Sequence, residues 1–377
     1  MLRVVPRLRC RLKSSLPGQL PGQLPRHLTS QLKDQMRICG FATFGLLLGL
    51  LSNLGGAAAQ DKTFELKLAH WVPPSHPLQK ALEEWGDSVL QDSGGTLKYK
   101  IYPAQQLGKA FDHYDMTRDG IADFAYVNPS YQPGRFPIFD ASNLPFMIAN
   151  AKGGSGAIDD WYRQYAAAEM KDVKYCFAFA HDPGTFHSRT KKIVVPSDIS
   201  GMKIRPATAI IASLITSLGG TNVQASAPEV RDVIEKGVAD AVTFPSGSIV
   251  LFGIDKVTKY HIDFPLYTTG FVWIMNKDTY AAMSPAQQKV IDNHCNRQWA
   301  EKVASPWADF EHDGLAKIKA EPDHEVYKIT DDQLALWKKS AEPLQQKWAA
   351  DVKRAGGNPD VIWSELQSSL KQYNAGF

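Results

Sequence analysis

An arginine stands by itself in "SDISGMKIRPATA", residues 197–209, where a short apolar strand should give way to a helix. The Arg205 guanidinium is a planar, permanently charged fork of donors, and the group it fits best is a carboxylate held by two parallel hydrogen bonds. The other reactive residue types form no constellation. The chain has no G-x-S-x-G, H-E-x-x-H, Walker or C-x-x-C spacing and no strand-linked G-x-G-x-x-G. His70 and His76 flank Pro73-Pro74, but that spacing is not a recurrent metal-ligand pattern, so they read as ordinary loop or structural histidines. Asp159-Asp160 and Asp331-Asp332 read as solvated acids at helix starts rather than as a catalytic pair. Neither catalysis nor a metal or other cofactor is expected.

The surroundings of that arginine depend on what the whole chain is. It has 377 residues, 44% hydrophobic and 21% charged, with a net charge of +3, an ordinary globular composition. The basic excess is local. Residues 1–59 hold eight Lys/Arg against Asp34 alone, a net of +7, which leaves −4 for the remaining 318 residues. An acidic body with no basic stripe argues against a nucleic-acid partner. Met36-Arg37, the apolar "FATFGLLLGLLSNLGG" and Ala57-Ala58-Ala59 form an export signal over 36–59, cleaved near Ala59. Residues 1–35, with their "LPGQLPGQLP" repeat, read as a non-structural extension, and translation can start at Met1 or Met36. After cleavage only Cys176 and Cys295 remain. They could make one bridge in an oxidising compartment, but the expectation is two buried free thiols.

Elements able to position Arg205 follow from periodicity. Phe64, Leu66 and Leu68 alternate on a strand, and Leu78, Ala81, Leu82, Trp85 and Val89 recur at helical spacing. Strands at 97–102 and 121–127 bracket a helical stretch at 111–118. This order predicts a parallel sheet flanked by helices. A second α/β block follows: strands at 173–180, 203–205 and 239–244, with helices closed by Gly219-Gly220 and Gly237. "YTTGFVWIMN" reads as a strand returning from the second block. Ser284 then caps a helix running to about Ala320, bent at Pro306, which at 1.5 Å per residue would span ~50 Å and brace both blocks. The expectation is a two-lobe, periplasmic-binding-protein-like α/β fold with a long lobe-spanning helix. Lobe 1 would be 60–183 plus 272–312, and lobe 2 184–271 plus 313–377.

Ordered motifs make the resemblance specific. "LAHWVPPSHPLQKALEEWGDSVLQDSGGTLKYKIYPAQQLGK", "TRDGIADFAYV", "NLPF", "SDISGMKIRPATA" and "APEVRDVIEKGVADAV" together resemble the solute receptors of tripartite ATP-independent periplasmic (TRAP) transporters, of the DctP type, over residues 63–320. The resemblance implies a periplasmic receptor that closes on a small organic acid and works with membrane permease subunits. It places Arg205 in the interlobe cleft, gripping the ligand carboxylate.

Other positions depart from the dicarboxylate and sialic-acid receptors of that family. Phe244 stands where an asparagine precedes the proline, Trp71 occupies a polar position, and Asn128 ends the "DFAYV" strand. A second arginine of the family aligns near Phe186 or His187, with Arg189 able to reach in its place. Phe271 is a further aromatic candidate. These substitutions make the expected pocket aromatic and favour a monocarboxylate, because a second, unpaired carboxylate is costly to bury. Arg189, Lys109 or His187 could supply a second positive group, which leaves a C4-dicarboxylate receptor as one alternative. A two-lobe receptor of an ABC-type importer is another.

Overall fold

The computed structural model describes residues 61–377; the extension and export signal expected over 1–59 lie outside them. Strand β1 (Phe64–Ala69), helix α1 (Pro77–Asp92), β2 (Leu97–Tyr102), α2 (His113–Arg118) and β3 (Phe124–Val127) alternate as the periodicity requires. β1 pairs in parallel with both β2 and β3. α1 shows how locally the start of an element is written. Pro77 occupies its first turn, the His76 ring accepts the Leu78 amide hydrogen at 3.1 Å, and the apolar stripe from Leu78 to Val89 is buried.

α3 (Ala151–Glu169) and β4 (Lys174–Ala180) complete the first pass. The second lobe follows with β5 (Thr185–Ser188), β6 (Lys203–Arg205), α4 (Ala209–Ser217), β7 (Thr221–Asn222), α5 (Val230–Glu235), β8 (Ala241–Phe244), α6 (Ser246–Leu251) and β9 (Tyr260–Ile262). β10 (Gly270–Met275) then returns to the first lobe. It lies between β3 and β4 and antiparallel to both, so the first sheet has the order β2-β1-β3-β10-β4 and is mixed rather than all parallel.

α7 (Lys277–Ala281), α8 (Pro285–His294), α9 (Arg297–Ala320), β11 (Glu325–Tyr327), α10 (Asp331–Arg354) and α11 (Pro359–Gln372) complete the chain. The second sheet runs β11-β9-β5-β8-β6-β7, with β5 antiparallel to β8 and β9. The lobes join through two crossing segments that pair at Gly184 and Tyr267, where the Gly184 amide donates to the Tyr267 carbonyl at 2.7 Å. A side chain at 184 would meet the Phe244 carbonyl at 2.9 Å, so only glycine permits this approach.

Three expectations need correction here. The long helix is two: Asn296 breaks it and caps α9 by accepting the Trp299 amide, while Pro306 is accommodated inside the second piece. α9 still reaches both lobes, because its Gly314 packs directly on Gly247 of α6. The last helix belongs with the first lobe rather than the second: Trp161 of α3 donates to the Ile362 carbonyl at 3.1 Å, and Ser369 donates to that of Ala157. α10 touches both, since Trp337 donates to the Val194 carbonyl and Trp348 to that of Pro137. Asp159 is no solvated acid. It is fully buried within α3, where it accepts from Arg163 at 2.6 Å, the Tyr175 hydroxyl at 2.6 Å and the Ala178 amide at 3.0 Å.

The cysteines are also paired: Cys176 and Cys295 form a disulfide across 119 residues, tying β4 to the corner between α8 and α9. Arg163 donates to the carbonyls of both cysteines, so a polar clamp and a covalent one coincide. A closed loop of this length restricts the unfolded chain, and reduction should lower the unfolding free energy by about 2–5 kcal/mol. Urea denaturation with and without a thiol reductant measures this. An unchanged midpoint would mean that the bridge contributes nothing to stability.

Candidate functional site

β6 delivers Arg205 to the end of the second sheet. Its backbone pairs with Val242 of β8, and Pro206, which has no amide hydrogen to offer a ladder, turns the chain away. The side chain is 98% enclosed, with 2% exposure, yet it points at no acid. Nε donates to the Ala225 carbonyl at 2.8 Å, Nη2 to the Tyr131 hydroxyl at 3.2 Å, and Nη1 distantly to the Thr243 carbonyl at 3.5 Å. Among the described residues no carboxylate comes within 4.0 Å of it. Three of its five N–H groups are engaged, so two remain free on the terminal nitrogens. A buried cation without a counter-charge is expensive, and an anion entering beside it removes that cost.

The guanidinium lines a small cavity, about 30 Å³, between the lobes. From the first lobe come Trp71 in the loop after β1, Asn128 and Tyr131 after β3, Phe271 on β10 and Trp307 on α9. The second lobe adds Phe244 and Tyr267. Trp71 stacks on Tyr126 at 4.8 Å, Phe271 lies 5.3 Å from Trp307, and Arg205 sits 5.6 Å from the Phe244 ring centroid. Asn128 caps the single turn Pro129–Tyr131 by accepting the Ser130 amide, and its amide group reaches the Ala207 carbonyl across the cleft at 3.4 Å. Tyr131 crosses too, accepting from both Arg205 and the Ala227 amide at 2.9 Å. The closed arrangement is therefore stitched by the residues that surround the cation.

Of the residues expected at the site, Arg205, Trp71, Asn128, Phe244 and Phe271 surround this one cavity. Phe186 and Arg189 do not. The Phe186 ring packs on Trp337 at 5.5 Å in the second lobe's core. Arg189 donates to the Ile234 carbonyl at 3.2 Å, satisfying the C-terminal end of α5, where a cation suits the helix dipole. His187 donates Nε2–H to the Phe244 carbonyl and contacts His261, so it supports the wall from behind. Neither Lys109 nor any second Lys or Arg lines the cavity among the described residues.

Sequence reasoning overlooked Tyr131, Tyr267, Trp307 and Glu311. Glu311 lies fully buried behind the wall and accepts from the Gly247 amide at 2.5 Å, the Ser248 amide at 3.0 Å, Trp307 Nε1 at 2.6 Å and the Ser248 hydroxyl. It fixes the Trp307 ring and anchors the start of α6 to α9. In sequence it is one acid among several in a charged stretch of helix, and only its place on the apolar stripe Trp307, Ala308, Glu311, Gly314 marks it as inward-facing.

Buried histidines give the fold a pH signature. Burial holds His70, His76, His181, His187 and His261 down to about 4, 3, 4, 4 and 2, against an ordinary 6.5. Below pH 6.5 the unfolded chain takes up protons that the folded chain refuses, so stability complete above that value is lost as pH falls toward 4. Burial raises Glu311 and Glu169 to about 7 and Asp140 to about 6, and their contribution runs oppositely, growing as pH falls through those values toward 4.5. Five histidine shifts outweigh three carboxyl shifts. The thermal midpoint should be lower at pH 5 than at pH 7; a higher one would mean that some of these imidazoles are charged in the folded protein.

Known proteins resemble this chain in sequence and in fold. The family model for bacterial extracellular solute-binding proteins, family 7 (DctP), matches residues 68–351. A TRAP solute-binding protein from Rhodoferax ferrireducens, solved with copurified benzoate, is 28% identical with a TM-score of 0.78, covering 83% of this chain and 99% of that one. A marine metagenome TRAP protein specific for aromatic acid ligands, bound to 3-hydroxybenzoate, is 31% identical with a TM-score of 0.77 over 83% and 99% of the two chains. A Bordetella bronchiseptica receptor holding (R)- and (S)-mandelate is 26% identical, with a TM-score of 0.77 over 82% and 99%.

Proposed function

The chain belongs to the bacterial extracellular solute-binding proteins of family 7, the receptors of TRAP transporters, and from that premise we propose that it captures an aromatic monocarboxylate between its lobes. The single observation that carries this reading is the buried Arg205 guanidinium, with two free N–H groups and no acid partner, at one side of a cavity walled by aromatic rings. Those two groups would grip the carboxylate bidentately, and Trp71, Phe244, Phe271 and Trp307 would enclose the ring by apolar contact and stacking. Asn128 would orient the acid from the opposite lobe. The benzoate, hydroxybenzoate and mandelate held by similar receptors support the same ligand class.

The ligand performs its own closure. With Arg205 on one lobe and Trp71, Asn128 and Tyr131 on the other, only the closed form presents both halves of the site, so binding energy favours closure over the open state. The closed receptor would deliver its cargo to the membrane permease subunits and carry out no reaction. It would act in the periplasm, after removal of the leader over 36–59.

A C4-dicarboxylate fits less well. Its second charge would face aromatic rings without a second cation, at a cost of several kcal/mol. Titration calorimetry with benzoate and succinate should therefore show benzoate tighter by about 100-fold or more. Succinate binding as tightly as benzoate would overturn the monocarboxylate assignment. Arg205→Lys replaces the fork by a point charge and should weaken benzoate by about 2–3 kcal/mol, roughly 30- to 150-fold. An unaltered affinity would show that the acid is held elsewhere.

A further inference from the structure

The His76 imidazole lines the cavity and is 2% exposed. Its Nδ1 accepts the Leu78 amide hydrogen at the start of α1, which commits that nitrogen's lone pair. A neutral ring so held must carry its hydrogen on Nε2. Burial holds the ring neutral, far below its ordinary titration range. Nε2–H is thus a donor, and no oxygen or nitrogen of the described residues accepts from it. The ring stands edge-on to Trp307, with centroids 4.8 Å apart, and an aromatic face is a weak acceptor that an oxygen would outcompete.

Trp71 Nε1–H is the second unpartnered donor on the same loop and the same cavity wall. His181, by contrast, is satisfied: it donates to the Asp182 carbonyl at 2.5 Å and accepts the Thr269 amide at 3.2 Å. The loop between β1 and α1 therefore presents two N–H groups to the cavity, beyond those that Arg205 supplies and beside the unpartnered Tyr267 hydroxyl on the other wall. A buried donor left unpaired costs free energy, and a site built to pair it rejects ligands lacking the matching acceptor.

We propose that His76 is a specificity-determining residue that donates to an oxygen substituent on the ring of the bound acid, so that the receptor selects hydroxylated aromatic monocarboxylates over unsubstituted ones, with Trp71 Nε1–H assisting. This rests on the reading of the cavity as an aromatic-acid site. The chemistry asked of the ligand is one anionic carboxylate for Arg205 and one neutral oxygen acceptor for the opposing donor. A second carboxylate would not serve equally well, because a neutral imidazole cannot balance its charge.

The test compares benzoate, 3-hydroxybenzoate and 4-hydroxybenzoate by titration calorimetry on the wild-type protein, His76→Asn and Trp71→Phe. Asparagine retains an acceptor for the Leu78 amide but withdraws the Nε2 donor. The wild type should bind one hydroxybenzoate about tenfold or more tightly than benzoate. His76→Asn should bring that ratio to about one while leaving benzoate within threefold of its wild-type affinity; Trp71→Phe should reduce the ratio less. Wild-type protein labelled with ¹⁵N-histidine provides a reading that needs no variant: one ring N–H proton should move downfield with the hydroxybenzoate and stay in place with benzoate. Equal affinity for benzoate and both hydroxybenzoates, a preference that survives His76→Asn, or an unmoved ring proton would overturn the proposal while leaving the aromatic-acid site intact. Failure of all three acids to bind would remove both.

Discussion

The arrangement around Arg205 is organised by a charge that the fold buries and does not neutralise. A guanidinium enclosed at 2% exposure normally brings an acid with it, because an uncompensated buried ion costs several kcal/mol. Here carbonyls and a tyrosine hydroxyl take three of its hydrogens, which orients the fork without cancelling its charge. The partial solvation by Ala225 and Tyr131 makes the buried cation tolerable, and the remaining deficit is one that an entering anion would relieve. A fully paired arginine at this point would stabilise the closed protein and leave nothing for the ligand to do.

Support for that charge is distributed over elements far apart in the chain. Pro206 ends β6 just after the arginine, Tyr131 reaches it from the other lobe, and β10 returns through the first sheet to place Phe271 opposite. Glu311 on α9 holds Trp307 and the first amides of α6 together, so one side chain couples an aromatic wall to the helix that follows Phe244. The contact between Gly314 and Gly247 permits the close approach this requires, since a Cβ on Gly314 would stand 2.0 Å from the Gly247 Cα. Along α9 the cavity wall is thus joined to α6 by close backbone packing, whereas across Tyr131 and Asn128 the lobes meet through a few polar contacts.

What the sequence discloses about this protein is uneven for physical reasons. Alternating strands and apolar helix stripes are local signals, and they placed most elements. Arg205, Trp71 and Asn128 were named from the motifs that resemble the receptor family, and all three line the cavity because each lies at or just past the end of a strand, where open α/β sheets turn side chains toward the crevice. Phe186 and Arg189 failed because β5 runs antiparallel to β8, and the strand's pleat sends Phe186 to the core while the next turn commits Arg189 to the end of α5. The Cys176–Cys295 bridge was the less favoured of two readings for a related reason: its halves meet only after β4 and the α8–α9 corner are packed, and nothing within either local stretch says so. Tyr131 and Glu311 act across the molecule, so no window of sequence contains the partner that gives either one its role.

Histidine illustrates why composition alone underdetermines a binding wall. His70 and His76 flank one short proline turn, and both read equally as loop residues. In the folded chain His70 gives its Nε2 to Gln79, while His76 is turned so that its helix takes Nδ1 and the cavity receives Nε2. The difference comes from capping: the residue that begins α1 must accept an amide hydrogen, and an imidazole that does so with one nitrogen is obliged to carry a proton on the other. A requirement of helix initiation therefore sets the polarity of a group on the cavity wall. The loop after β1 is thus polar toward its helix and offers only donors to the cavity without any charged residue, and among the described residues of that cavity Arg205 alone supplies a charge.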